Sequence, residues 1–295
     1  MSLLIAGTIC FDTIETPAGR VERVLGGSGV FASTAAALLA RPRLIGAVGA
    51  DFRADDRSAL SGRGVELRGV QTLADVRTQF WHGRYHPGLH TREHIDVDLD
   101  ILDRMDLAVP DEYRASSHVF LAHMPPHHQH RVLDQLSGTP FVMADTIDHW
   151  IRTRRDELVR LFERVTGAVV NDGEAELLTG EPNALRAARA ISRLGPRLVV
   201  VKKGEHGVLA LWNEDWIALP AFPTEAAIDP TGAGDTFAGT LIAALADGQT
   251  FSTSVATGIV AASMTVEGFG ASRLLAATRD ELAGRLARYR AMLRV

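Results

Sequence analysis

A single cysteine, Cys10, occurs in 295 residues. No disulfide framework and no thiolate pair for a metal can form within the chain, and a reducing cytoplasm is the expected compartment. No apolar stretch approaches the roughly 20 residues needed to cross a bilayer, so a soluble protein without a membrane partner is expected. The 31 basic and 36 acidic residues leave a net charge of -5, and the basic ones form no stripe. A nucleic-acid backbone therefore has no electrostatic footprint to bind. Internal repeats, Pro/Ser-rich linkers and low-complexity segments are also missing, which leaves one domain over residues 1–295. No G-x-x-x-x-G-K-[ST] string occurs, which excludes a P-loop. Residues Met1 to Phe11 have no basic residue ahead of their apolar run, and a turn-like acidic segment follows, so they read as a first strand rather than a signal peptide.

What is present is a recurring apolar rhythm. Hydrophobic residues make up 46% of the chain, enough for a full-sized core. Short runs recur at Leu3 to Ala6, Leu44 to Val48, Val119 to Ala122, Phe141 to Ala144, Ala168 to Val170 and Leu198 to Val201, most of them separated by helix-like stretches. Continuous apolar runs are the mark of strands buried on both faces, and their alternation with helices predicts an α/β fold with a mostly parallel sheet. Two stretches break the rhythm. Residues 13–24 and 76–94 are polar, spotted with aromatics and partly alternating, as half-exposed strands are. They are expected to form a small β lid.

The chemistry is most legible in Asp229-Pro230-Thr231-Gly232-Ala233-Gly234-Asp235-Thr236-Phe237-Ala238-Gly239, which is followed by the helix-like Thr240 to Leu245. Glycines let backbone amides approach a ligand, and the first turn of a helix leaves N–H groups unpaired and partly positive. Gly232, Ala233 and Gly234 thus predict an anion hole. A carboxylate at its mouth would repel phosphate, so Asp235 is better explained as a base that takes the proton of an attacking hydroxyl during phosphoryl transfer. The plainer alternative is Asp235 as a helix cap on a tight turn.

Residues 229–239 resemble the C-terminal signature of the ribokinase-like (PfkB) carbohydrate kinases, and other segments match that family in order along nearly the whole chain. Asn171-Asp172-Gly173-Glu174 resembles its Asn-x-x-Glu motif, which implies that Asn171 and Glu174 tune a magnesium network; a plain capping box would use the same two residues. Lys203-Gly204-Glu205-His206-Gly207 is similar to the family's nucleotide loop, and the stretch to Gly268 resembles its helix and loop beside the adenine. For Lys203, Gly204, Gly207, Thr231 and Gly268 the resemblance implies nucleotide binding, and for Asp229 and Thr231 a monovalent cation site, hence potassium. It implies a ribokinase-like three-layer α/β/α fold with a small β lid, ATP and Mg2+ as cofactors, and a small sugar, polyol or sugar acid as hydroxyl acceptor. A nucleoside is the alternative acceptor within the same fold.

At the N-terminal end, Gly26 and Gly27 fit the family's paired glycines ahead of a helix, and Asp12 resembles its carboxylate that grips acceptor hydroxyls. A turn-capping Asp12 is the plainer reading. Where members often carry a sugar-binding Asn, this chain has Phe31, which cannot donate those bonds and either stacks on a ring or joins the core. The lid stretch Gln79 to His86 offers contacts for a sugar or a base alike. Two other classes compete. Gly27 to Ala32 spells a G-x-G-x-x-A string with Asp51 downstream, as in dinucleotide-dependent oxidoreductases, but the charged segment Arg20 to Val24 separates it from the opening strand. A non-catalytic nucleotide-binding regulator would use the glycines but has no need of Asp235. His123, His127, His128 and His130 lack an acidic or cysteine partner at metal spacing, so a solvated loop is favoured over zinc. An exposed lid with aromatics favours a homodimer.

Overall fold

The computed structural model describes residues 2–293, so the ends of the expected domain, residues 1, 294 and 295, lie outside the described residues. Thirteen strands form two sheets. The first strands are β1 (Leu3–Ala6), β2 (Cys10–Thr16), β3 (Gly19–Gly26), β4 (Arg43–Gly49), β5 (Glu66–Leu73), β6 (Gln79–Tyr85) and β7 (Arg92–Asp98). The remainder are β8 (His118–Leu121), β9 (Phe141–Asp145), β10 (Gly167–Asn171), β11 (Leu198–Lys202), β12 (Val208–Trp212) and β13 (Asp215–Leu219). The large sheet runs β13-β12-β11-β10-β9-β8-β1-β4-β5 and is parallel from β11 to β5, with β12 and β13 added antiparallel at one edge.

Every expected apolar run lies in one of these strands, and alternate side chains explain why the runs are continuous. Leu3 and Ile5 join one core with the helices Ser28–Ala36, Ala233–Ala246 and Phe251–Thr265. Leu4 and Ala6 join the other with Pro126–Asp134, Arg155–Phe162 and Ala184–Ser192. Each strand face needs apolar cover, which is the physical content of a three-layer α/β/α fold. Strand β5 and the β12–β13 hairpin were not expected. They lie at the sheet's two edges, where burial is partial and the apolar pattern is diluted.

The small sheet is β3-β2-β6-β7. It begins at Cys10 and runs to Asp98, wider at both ends than residues 13–24 and 76–94, because the apolar Cys10 and Phe11 and the exposed residues after His94 also pair. A register shift between Asp12 and Ile14 bends β2 where its inner face meets the main domain.

Candidate active site

The loop Ile228–Thr231 ends at Gly232, whose φ of 74° places it in the left-handed region as the N-cap of Ala233–Ala246. A side chain at Gly232 would also strike the Phe31 ring, with a Cβ only 2.2 Å from Cγ. The N-cap is Gly232 itself, and Asp235 stands in the first turn of the helix, three residues further on. The amides of Gly232 and Gly234 have no acceptor among the described residues, whereas that of Ala233 closes a turn onto the Pro230 carbonyl at 3.2 Å. The expected anion hole therefore consists of two free amides flanking an engaged one.

Lys202, at the end of β11, aims its ammonium at this turn: a Cβ on Gly234 would sit 3.0 Å from Nζ. Nζ donates to Asp145 Oδ2 at 3.1 Å, and Glu174 and Asp235 are its other negative neighbours. Burial pulls the Lys202 pKa down, but these three carboxylates hold it above its ordinary value, so it stays charged. Burial pushes Asp235 up to about 6 and Glu174 to about 7, against the pull of Lys202 in both cases. Asp145 is likewise raised by burial despite its ion pair. Three carboxylates around one ammonium leave a surplus of negative charge on hard oxygen donors, which suits Mg2+. Among the described residues no three acidic, His or Cys side chains are close enough to hold a metal between them. The donors therefore fit an ion held through water and phosphate oxygens.

Asn171 and Glu174 form a reciprocal capping box, Asn171 Oδ1 accepting from the Glu174 amide at 2.8 Å and Glu174 Oε2 from the Asn171 amide at 2.7 Å. That box is the plainer reading, and it also fixes the buried Glu174 carboxylate beside Lys202. Asp229 is fully used: Oδ1 accepts from the Thr231 amide at 2.9 Å and Oδ2 from the Gly270 amide at 2.8 Å. A monovalent cation there would share oxygens that already hold the two loops together. The Thr231 hydroxyl bonds the Tyr85 hydroxyl at 3.1 Å, which ties the lid to the catalytic turn.

Asp12 on β2 is buried, and among the described residues the one hydrogen-bond partner of its carboxylate is the Cys10 thiol, whose S–H donates to Oδ1 at 2.8 Å. Burial pushes Asp12 up to about 7 and the Cys10 thiol well above its usual range. No backbone group uses this carboxylate, so the turn-cap reading fails and Asp12 retains capacity for ligand hydroxyls. Gly26 makes room for it, since a Cβ there would lie 1.9 Å from Oδ2. Gly27, at φ 95°, lets the helix Ser28–Ala36 begin against the Thr8 carbonyl.

One cavity of about 450 Å³ joins these pieces, lined by Asp12, Gly27, Phe31, Thr231, Gly232 and Asp235. Phe31 is buried, with its ring packed under Gly232 at the cavity wall, which is the core placement of the two left open for it. Lys203, Gly204, Gly207 and Gly268 do not line this cavity. The first three form the β11–β12 turn, where Gly207 is required because a Cβ would meet the Leu219 carbonyl at 2.0 Å. Gly268 packs against Arg273. His123, half-buried and pushed down to about 4 by desolvation, is neutral and lines the cavity, and its Nδ1 has no partner among the described residues. Gln79 Oε1 and Trp150 Nε1 are two more buried polar atoms without partners on cavity residues. Asp145 and Lys202 escaped sequence reasoning. A signal was available: the chain's only lysines are Lys202 and Lys203, all other basic residues being arginine.

The pfkB family carbohydrate kinase pattern matches residues 98–278. A cytidine kinase from Thermococcus kodakarensis is 30% identical over 280 residues, covering 92% of this chain and 98% of the relative. Among solved structures, a Burkholderia thailandensis nucleoside kinase in complex with inosine superposes with a TM-score of 0.81 at 20% identity, over 98% of each chain. Arabidopsis thaliana ribokinase complexed with ribose and ATP gives 0.76 at 20% identity, over 97% of this chain and 98% of that one. The fold is ribokinase-like, and the chain belongs to the pfkB family of carbohydrate kinases. Membership of that family makes it a kinase. No described helix is long and apolar enough to cross a membrane.

Proposed function

We propose that this kinase phosphorylates a nucleoside rather than a free sugar, polyol or sugar acid, with the primary 5′-hydroxyl as acceptor. The observation that carries the reading is the apolar share of the cavity lining, Val97, Leu99, Leu102, Met124, Ile147 and Trp150, beside the polar Arg92, Asp148 and Arg152. A free sugar has hydroxyls on every side and would leave this wall against water, whereas a nucleobase presents two apolar faces and a polar edge. The partnerless Gln79 Oε1, His123 Nδ1 and Trp150 Nε1 supply acceptor and donor capacity for that edge and for the ribose. The relatives described as a cytidine kinase and as a nucleoside kinase with inosine support the same choice.

In this reading Asp12 accepts two ribose hydroxyls and sets the 5′-oxygen before Asp235. Asp235 takes the hydroxyl proton as that oxygen bonds the γ-phosphorus and the bond to the bridging oxygen of ADP breaks. The amides of Gly232 and Gly234 and the Lys202 ammonium receive the developing charge. Magnesium, when bound, neutralises phosphate charge, and Asp145, Asn171 and Glu174 would hold its water shell. The Lys203–Gly207 turn and the loop at Gly268 would flank the adenine. The partly exposed Ile95 and Val97 on the edge strand β7 fit a homodimer through the lid.

ADP release from Mg-ATP across cytidine, uridine, adenosine, inosine, ribose, polyols and sugar acids tests the proposal. Nucleosides should exceed ribose in kcat/KM by about a hundredfold, on the order of what burying an aromatic ring is worth. Ribose or a polyol turning over faster than every nucleoside would overturn it.

A further inference from the structure

On the inner face of the lid, cross-strand register places Trp81 opposite Asp12 and Gln79 opposite Cys10. All four line the cavity, so the indole is the neighbour of the carboxylate that grips hydroxyls. The position of that indole is built rather than incidental. It lies back along its own strand over Gly83, where a Cβ would fall 2.0 Å from Cζ2 and 2.1 Å from Cη2. Its N–H donates to His94 Nδ1 at 2.8 Å, and His94 pairs with Gly83 on the adjoining strand. The His94 ring meets it edge-on at 5.9 Å between centroids, and Tyr85 does so at 6.4 Å. One face is thus occupied by backbone and the edge is held, while the half-buried remainder borders the cavity beside Arg92, whose guanidinium carbon lies 6.0 Å from the ring centroid. A tryptophan free to rotate would need none of these devices; a stacking surface needs its orientation held before the ligand arrives.

We infer that Trp81 is a stacking platform for the acceptor's nucleobase, held in place by Gly83 beneath it and His94 at its edge, and that these three residues set acceptor affinity. The inference rests on the nucleoside reading. Trp81 touches the substrate; Gly83 and His94 are positioning residues that act through it. Burial keeps His94 below its ordinary pKa, which leaves Nδ1 free to accept the indole N–H.

The test compares wild type with Trp81→Ala, Gly83→Ala, His94→Leu and His94→Asn, using Mg-ATP and the nucleoside that turns over best. Acceptor KM should rise about tenfold in Trp81→Ala and Gly83→Ala, the scale of one base–aromatic stack. His94→Leu should raise it less, and His94→Asn, which retains an acceptor at the Nδ1 position, should return it to within about twofold of wild type while KM for ATP stays constant throughout. Nucleoside-induced quenching of tryptophan emission should shrink in Gly83→Ala. A nucleoside KM unchanged in Gly83→Ala, or an equal rise in the KM for ATP, overturns the platform alone. A panel that returns only sugars overturns the nucleoside reading and the platform with it.

Discussion

At the proposed phosphoryl end, the anion hole and the base come from one turn and one helix terminus, residues 232–235, against which Lys202 and Phe31 pack from elsewhere in the chain. At the acceptor end, the groups come from β2, β6, β7, the loop after β8 and the helix Asp148–Thr153, and the sequence separation between Asp12 and Trp150 spans half the chain. The first arrangement is local because helix geometry itself aligns unpaired amides. The second is assembled, because a selective wall needs side chains of several shapes that no single segment can present. The contrast extends to charge: Lys202 counters the carboxylates around it, whereas Asp12 has only a thiol.

If that contrast is right, the largest effect belongs to the local end. Asp235→Asn should lower kcat by about 10³-fold or more while ATP binding persists, since general-base contributions reach that size. In wild type the rate should fall as pH drops through about 6, where Asp235 takes up a proton. An unchanged kcat in the variant would break the comparison.

Stability should report the assembled end. Asp12 and Glu174 are raised to about 7 by burial, and Asp235 to about 6. Their folded-state values exceed the unfolded ones, so the stability they permit is complete below the usual carboxylate range near pH 4 and is lost as pH rises to about 7. Each group contributes about 1.4 kcal/mol per pH unit within its window. Urea unfolding at pH 5 and pH 8 should show the free protein weaker at pH 8. Asp12→Asn should remove part of that difference while weakening acceptor binding; an identical pH dependence would show that burial does not raise Asp12 in the fold.

The smallest effect concerns the metal network. Glu174→Gln preserves the capping box, since Gln can accept from the Asn171 amide. It should raise the Mg2+ concentration for half-maximal rate several-fold, with acceptor KM within about twofold of wild type. A change of acceptor preference alone would sink the role given to Glu174.

Legibility followed the same division. The apolar runs of β1, β4, β8, β9, β10 and β11 marked the sheet because burial on both faces leaves a pattern within each segment. The edge strands β5 and β13, half-wet, dilute it, and β12, apolar throughout, was passed over behind the Lys203–Gly207 turn. Gly232 and Asp235 were readable because their neighbours in sequence are their neighbours in space. Gly83 gave no sign of its partnership with Trp81, although only two residues separate them, because the contact depends on a side-chain rotamer and on His94 from another strand.

The sequence by itself determined the α/β class and marked the turn and the carboxylate on which the proposed mechanism rests, because periodicity and helix-terminus chemistry act over a few consecutive residues. Only the tertiary structure decided that Lys202 joins Asp145 and Glu174 behind that turn, that Asp12 is left with a thiol partner, and that apolar side chains from several segments share in lining the cavity. Those outcomes depend on burial and on distances between segments far apart in the chain, which set both the electrostatics and the shape that a substrate meets.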